Sequence, residues 1–304
     1  MTSIRYKIIL QLMRLLGMKN MCMLPREEFL KNIKSINQKR KFFMPRKKGY
    51  VIGDRLIMEH YHCLTIQRNA QPSKRALLFL YGGGMLISPD KNDVNSALKM
   101  SVLADCDVWF PYYPLCIDHG IDVLHEMILQ CYREMTTVYQ PEQISVLGFS
   151  SGGALAIGLA LHNNALGKII AMPRQIIAVS PGSVPATEEE KKRMNELNSV
   201  DMLVDVKFIE HVEYFMRHGK TMPEYMISGH RGDFAGLPPL HFYYGACEIL
   251  SALAPSFEKV CQENNVSYTM HIAPGMCHCY AAIGYFPEGK AAFNEIAERL
   301  KFPE

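Results

Sequence analysis

No C-x-x-C pair occurs among the nine cysteines of this 304-residue chain. Zinc ribbons and thioredoxin-like motifs, which depend on such pairs, are thereby excluded. The one close cluster, Cys277-His278-Cys279, would need a further ligand from elsewhere to hold a metal, so no metal site and no other cofactor is expected. An odd count of unpatterned thiols points to reduced, buried cysteines and a cytoplasmic protein. A long apolar run is also missing. Arg5, Lys7 and Arg14 interrupt the apolar opening, and no small-residue cleavage site follows. Neither a membrane span nor a signal peptide is expected there. There is no repeat of fixed period, and no G-K-[ST] follows the triple glycine at 82–84, which argues against a phosphate-binding loop.

Acidic residues are scarce at one end. Residues 1–48 carry 13 Lys/Arg against only Glu27 and Glu28, while the rest holds 20 basic and 28 acidic residues. The net charge of +3 therefore joins a basic arm to an acidic body. Such an arm suits either an anionic partner or docking on its own body; the second is the expectation, with no nucleic-acid partner. Ile4, Ile8, Leu12 and Leu15 share one helical face, and Lys7, Gln11 and Arg14 line another. That apolar face is expected to pack on the protein itself. Peripheral lipid contact stays open, as does homo-oligomerisation.

What is present is a chain able to bury a large core, with 48% hydrophobic residues. Residues 50–67 alternate as a β-hairpin, with Gly53-Asp54 as the turn signal. Short apolar runs follow at 76–81, 107–113, 144–149, 175–180, 240–245 and 268–273. Helical segments separate them near 92–104, 121–138, 152–163 and 254–264, with a last one near 288–300. This is the pattern of an α/β fold with a mostly parallel central sheet and helices on both faces. Residues 181–238 are too long for an ordinary crossover and read as an insertion over the sheet edge.

Four stretches carry chemistry. The frame G-x-S-x-G fits "GFSSG" only with Ser150 at its centre, after one apolar run and before a helix. That is the setting of a nucleophile elbow; it also reads as a serine-capped turn. "YGGGM" follows a strand and could turn backbone amides toward a developing oxyanion. His278 follows the final strand, where a general base belongs. Glu248 follows the strand before it and could fix the tautomer of His278. The order Ser…Glu…His, with every member after a strand, gathers them at one sheet edge.

With these motifs the chain resembles the hormone-sensitive-lipase-like family of α/β-hydrolases, the carboxylesterases with an H-G-G-G loop. The resemblance runs from about residue 50 to the end, through "YGGGM", "PYYPL", "GFSSGGALA", "GACEIL" and "GMCHCY". It implies Ser150 as nucleophile, Glu248 as acid, His278 as base, and the amides of Gly83, Gly84 and Ser151 as oxyanion hole. It further implies a catalytic domain over 49–304, capped by residues 1–48 and the 181–238 insertion. Tyr81 stands where the family has its first His, Phe149 and Ser151 flank the serine in place of Asp and Ala, and Glu248 replaces Asp. Tyr81, Met85 and Phe149 are the candidate substrate contacts. The expected function is hydrolysis of short-chain acyl esters through an acyl-enzyme, with a small-molecule ester as partner. The alternatives are an amidase or deacetylase on an N-acyl or sugar-acetyl substrate, and a non-catalytic binding protein.

Overall fold

A computed structural model describes residues 2–301 of the chain. The apolar runs become eight strands: β1 (Val51–Ile57), β2 (Tyr61–Gln67), β3 (Ala76–Leu80), β4 (Asp107–Pro111), β5 (Ile144–Phe149), β6 (Gln175–Val179), β7 (Leu240–Gly245) and β8 (Tyr268–Ala273). They form one sheet in the order β1-β2-β4-β3-β5-β6-β7-β8. β2 pairs antiparallel with β1 and β4, and every other pairing is parallel. Every residue of β3, β4, β5 and β6 is buried, which explains their unbroken apolar sequences: helices cover both faces.

The helices are α1 (Ile4–Leu15), α2 (Arg26–Lys39), α3 (Lys91–Ala104), α4 (Ile121–Thr136), α5 (Ser151–Ala165), α6 (Glu188–Asn198), α7 (Val206–Arg217), α8 (Glu224–Ile227), α9 (Ala254–Glu263) and α10 (Pro287–Leu300). α6, α7 and α8 lie in the long 181–238 connection between β6 and β7. α6 starts in a capping box: the Thr187 hydroxyl accepts from the Glu190 amide, and the Glu190 carboxylate accepts from the Thr187 amide. The basic arm meets acids of the body, with Lys19 paired to Asp205 at 3.3 Å and Arg40 to Asp90 at 3.4 Å.

Two expectations fail, each for a local reason. The hairpin does not turn at Gly53-Asp54. Ile57 pairs with Tyr61, so the turn lies at Met58 and Glu59, both with positive φ. Such turns usually announce themselves with Asn-Gly, a signal absent here. Gly53 is instead a mid-strand residue opposite Thr65, where a Cβ would come within 2.8 Å of the Thr65 hydroxyl. In α1 the face of Ile4, Ile8, Leu12 and Leu15 does not pack on the protein; all four are exposed. Tyr6 takes the inward side, its ring 4.9 Å from that of Phe286, and Ser3 is hydrogen-bonded to Glu288. The contacts of the first turn set the rotation of the helix, and Ile9 and Leu10 follow Tyr6 inward.

Candidate active site

The carboxyl ends of β3, β5, β7 and β8 share one edge of the sheet, and four loops leave from there. Ser150 occupies the turn between β5 and α5 with φ +53° and ψ −120°. For a non-glycine residue this is a strained conformation, held because the turn is over-determined. The Ser150 amide donates to the Val179 carbonyl, and its carbonyl accepts from Ala154 and Gly182. A Cβ at Gly148 would overlap the carbonyl of Gly152, so the strand and the helix can meet this closely only with glycine there.

His278 follows β8. Its Nε2 lies 2.9 Å from the Ser150 hydroxyl, and its Nδ1 lies 2.6 Å from Oε2 of Glu248. Glu248, in the turn after β7, is completely buried. Its Oε1 accepts from the Ser180 hydroxyl at 2.9 Å and the Gly245 amide at 3.0 Å. Burial raises the Glu248 pKa, against the hydrogen bonds from His278 and Ser180. Burial also opposes the imidazolium of His278. Cys279, whose sulfur is 3.5 Å from Nε2, and Glu248 outweigh that and hold His278 well above the ordinary histidine value. Glu258 and Glu263, the other carboxylates between β7 and His278, are engaged elsewhere: Glu258 accepts from Tyr268, and Glu263 pairs with Lys259.

The glycine loop after β3 runs beside the serine. A Cβ at Gly82 would stand 3.2 Å from that of Ser150, and Gly83 and Gly84 have φ of +133° and +65°. The amides of Gly83, Gly84 and Ser151 donate no hydrogen bond among the described residues. Tyr81 packs its ring 4.1 Å from that of Tyr113, and the Tyr113 hydroxyl donates to the Tyr81 carbonyl. That bond holds the start of the loop.

Ser150 lies between two cavities. The larger, about 370 Å³, takes in Tyr81 and Phe149, with Met21 and Cys22 from the N-terminal arm. The smaller, about 40 Å³, takes in Met85, Val212, Met216 and Leu250. All three candidate substrate contacts therefore border the serine, though on different sides. Among the described residues no group of three His, Cys, Asp or Glu is placed to hold a metal; His278 turns to Ser150 and Glu248 instead.

Two residues escaped the sequence reading. Ser180, with φ +47°, both donates to Glu248 and accepts from the Cys279 amide at 3.0 Å. It thus ties the loop of Glu248 to the loop of His278. Asp201, in the 181–238 insertion, accepts from the Ile249 amide at 2.9 Å, next to Glu248. The only sequence signal for Ser180 was its place at the end of an apolar run; Asp201 had none.

Comparison with known proteins agrees with this architecture. A family described as having the alpha/beta hydrolase fold matches residues 77–282. The chain is 24% identical to the esterase LipU of Mycobacterium tuberculosis over 76% of its own length and 79% of the relative's. It is 22% identical to an acetyl-hydrolase of Streptomyces hygroscopicus over 77% and 78% of the two chains. Among solved structures, an esterase from the bacterial hormone-sensitive lipase family superposes with a TM-score of 0.79, 19% identity, and coverage of 99% of this chain and 98% of that one. A putative esterase from Staphylococcus aureus gives 0.78 at 20% identity over 91% and 92%. With its glycine loop, serine turn, glutamate and histidine ordered along the carboxyl edge of one sheet, the chain belongs to the α/β-hydrolase fold family.

Proposed function

We propose that the chain is a serine hydrolase of short-chain carboxylic esters. The observation that carries this is the unbroken line of hydrogen bonds from the Ser150 hydroxyl through His278 to Glu248, beside three free amides. Nε2 of His278 takes the serine proton as Oγ attacks the ester carbonyl. The amides of Gly83, Gly84 and Ser151 stabilise the tetrahedral oxyanion. Buried Glu248 holds Nδ1 protonated and stabilises the transient imidazolium. His278 then protonates the leaving alcohol, and water releases the acyl group by the reverse sequence.

The small cavity supports a short acyl group. One water needs roughly 10–15 Å³ by the same measure, so 40 Å³ admits only a few heavy atoms. The larger cavity then takes the alcohol. Similarity to an acetyl-hydrolase points the same way. The N-terminal arm and the 181–238 insertion act as a cap, since Met21 and Cys22 from one and Leu203 and Phe208 from the other close over the larger cavity. Nine free cysteines, seven of them buried, suit a reducing cytoplasm.

The test is a series of p-nitrophenyl esters together with a fluorophosphonate probe. Acetate to butyrate should be turned over faster than chains of ten or more carbons, and the probe should label wild type but not Ser150→Ala. An unlabelled wild-type serine would remove the catalytic reading. Faster turnover of the long chain would reverse the cavity assignment.

A further inference from the structure

The first helix carries apolar side chains on two faces. Tyr6, Ile9 and Leu10 turn toward the body. Ile4, Ile8, Leu12, Leu15 and Leu16 turn away from it, with 77%, 55%, 52%, 82% and 77% of their surface exposed. Five large aliphatic residues in one stripe form a contiguous apolar patch, which folded chains seldom leave bare without a partner. At 100° per residue, Lys7 and Arg14 fall along one border of the stripe and Arg5 near the other. All three are exposed, and none forms an ion pair with the described residues. No acidic residue precedes Glu27.

We propose that α1 is a monotopic docking helix for an anionic lipid surface. The apolar stripe would sink among the acyl chains near the headgroups, and the flanking cations would reach back to the lipid phosphates along their own methylene stems. Charge selects this occupant over a second copy of the chain, because two such helices would bring Arg5, Lys7 and Arg14 of each together. It selects lipid over nucleic acid because the centre of the face is aliphatic. α1 runs directly into the 3-10 helix Met18–Met23, whose Met21 and Cys22 line the larger cavity beside Ser150. Docking would therefore hold that cavity close to the bilayer surface.

The experiment is co-sedimentation of the full chain with vesicles, either phosphatidylcholine alone or an equal mixture with phosphatidylglycerol. Wild type should pellet with the mixed vesicles and bind pure phosphatidylcholine at least tenfold more weakly. The double substitution Leu12→Glu with Leu15→Glu should lose binding at least tenfold while its thermal unfolding stays unchanged, since both side chains are exposed. The triple substitution Arg5→Gln, Lys7→Gln and Arg14→Gln should lose the preference for anionic vesicles. Ser150→Ala should bind like wild type, which separates this proposal from the catalytic one. Wild type remaining in the supernatant with both vesicle types would overturn the proposal. So would a wild-type dimer that the Leu12→Glu, Leu15→Glu variant converts to monomer, since the stripe would then be an interface between copies.

Discussion

Among the described residues two serines each lie beside a buried His–Glu pair, and only one of the two serines is held at positive φ. In the first, His278 lies between Ser150 and Glu248 at 2.9 and 2.6 Å. In the second, His230 lies 3.1 Å from Glu190, and its other ring nitrogen is 3.5 Å from Ser183. Residue types are the same, and both His–Glu pairs are buried. The surroundings differ. Ser150 is held at positive φ at a helix N-terminus, facing free amides and two cavities. Ser183 shows no positive φ, and its hydroxyl accepts from the Gly229 amide. Glu190 is spent on structure: it accepts from the Ala186 and Thr187 amides and from the Ser256 hydroxyl, linking α6 to α9. Burial would raise its pKa, but those bonds and His230 hold it below the ordinary value. The pKa of Glu248 moves the other way. A triad is therefore defined by strain, free donors and space at the serine, not by three residue types within reach.

The largest expected effect separates the two serines. Ser150→Ala should lower kcat by roughly 10⁴–10⁶, whereas Ser183→Ala and Ser151→Ala should each keep most of it. Comparable loss from Ser183→Ala would end the distinction.

The two acids should divide next. Glu248→Gln should lose about 10²–10⁴ in kcat with the fold intact, because the histidine tautomer is no longer held. Near-normal turnover by a folded Glu248→Gln would move the role to another acid. Glu190→Ala should instead keep kcat within about twofold and cost ~1–3 kcal/mol of stability, since buried donors lose their acceptor. Denaturant unfolding measures that loss. Because the folded pKa of Glu190 is depressed, the stabilisation is present above the ordinary Glu pKa of about 4.3 and fades as pH falls below it. A stability gap that widens on acidification would contradict this assignment.

Ser180 sharpens the contrast more finely, as a positioning residue acting through Glu248. Ser180→Ala should lower kcat about tenfold, ~1.4 kcal/mol, and Ser180→Thr should recover part of it if the hydroxyl is what matters. Equal kcat in Ser180→Ala and wild type would make the bond incidental.

The smallest effect is a displacement in pH. His278 must be neutral to act as base, and its pKa lies above the ordinary histidine value of about 6.5. The acid limb of kcat/KM should therefore have its midpoint above that value, with activity lost as pH falls through it. A midpoint below about 6 would show that burial, not Glu248 and Cys279, dominates the imidazole.

Ser150, Glu248 and His278 could be singled out in the chain because each lies within five residues after an apolar run, and strand ends in a parallel sheet converge on one edge. Ser180 also ends such a run. Its role depends on a positive-φ turn that brings its hydroxyl between two loops separated by many residues, and local pattern carries no trace of that. The hairpin turns away from Gly53, which sits mid-strand against Thr65, while Met58 and Glu59 turn without the usual residues.

The sequence by itself determined the alternation of strands and helices, the tight turn at Ser150 and the places of Glu248 and His278 after later strands, since these follow from local periodicity and from the glycines around Ser150. Tertiary structure alone decided how the Glu248 and His278 loops are tied together, and which apolar side of α1 is covered. Both are settled by contacts between distant segments: Asp201 on Ile249, Ser180 on Glu248 and Cys279, and Tyr6 on Phe286. Such contacts are chosen by the packing of the whole chain, and no short window of residues contains them.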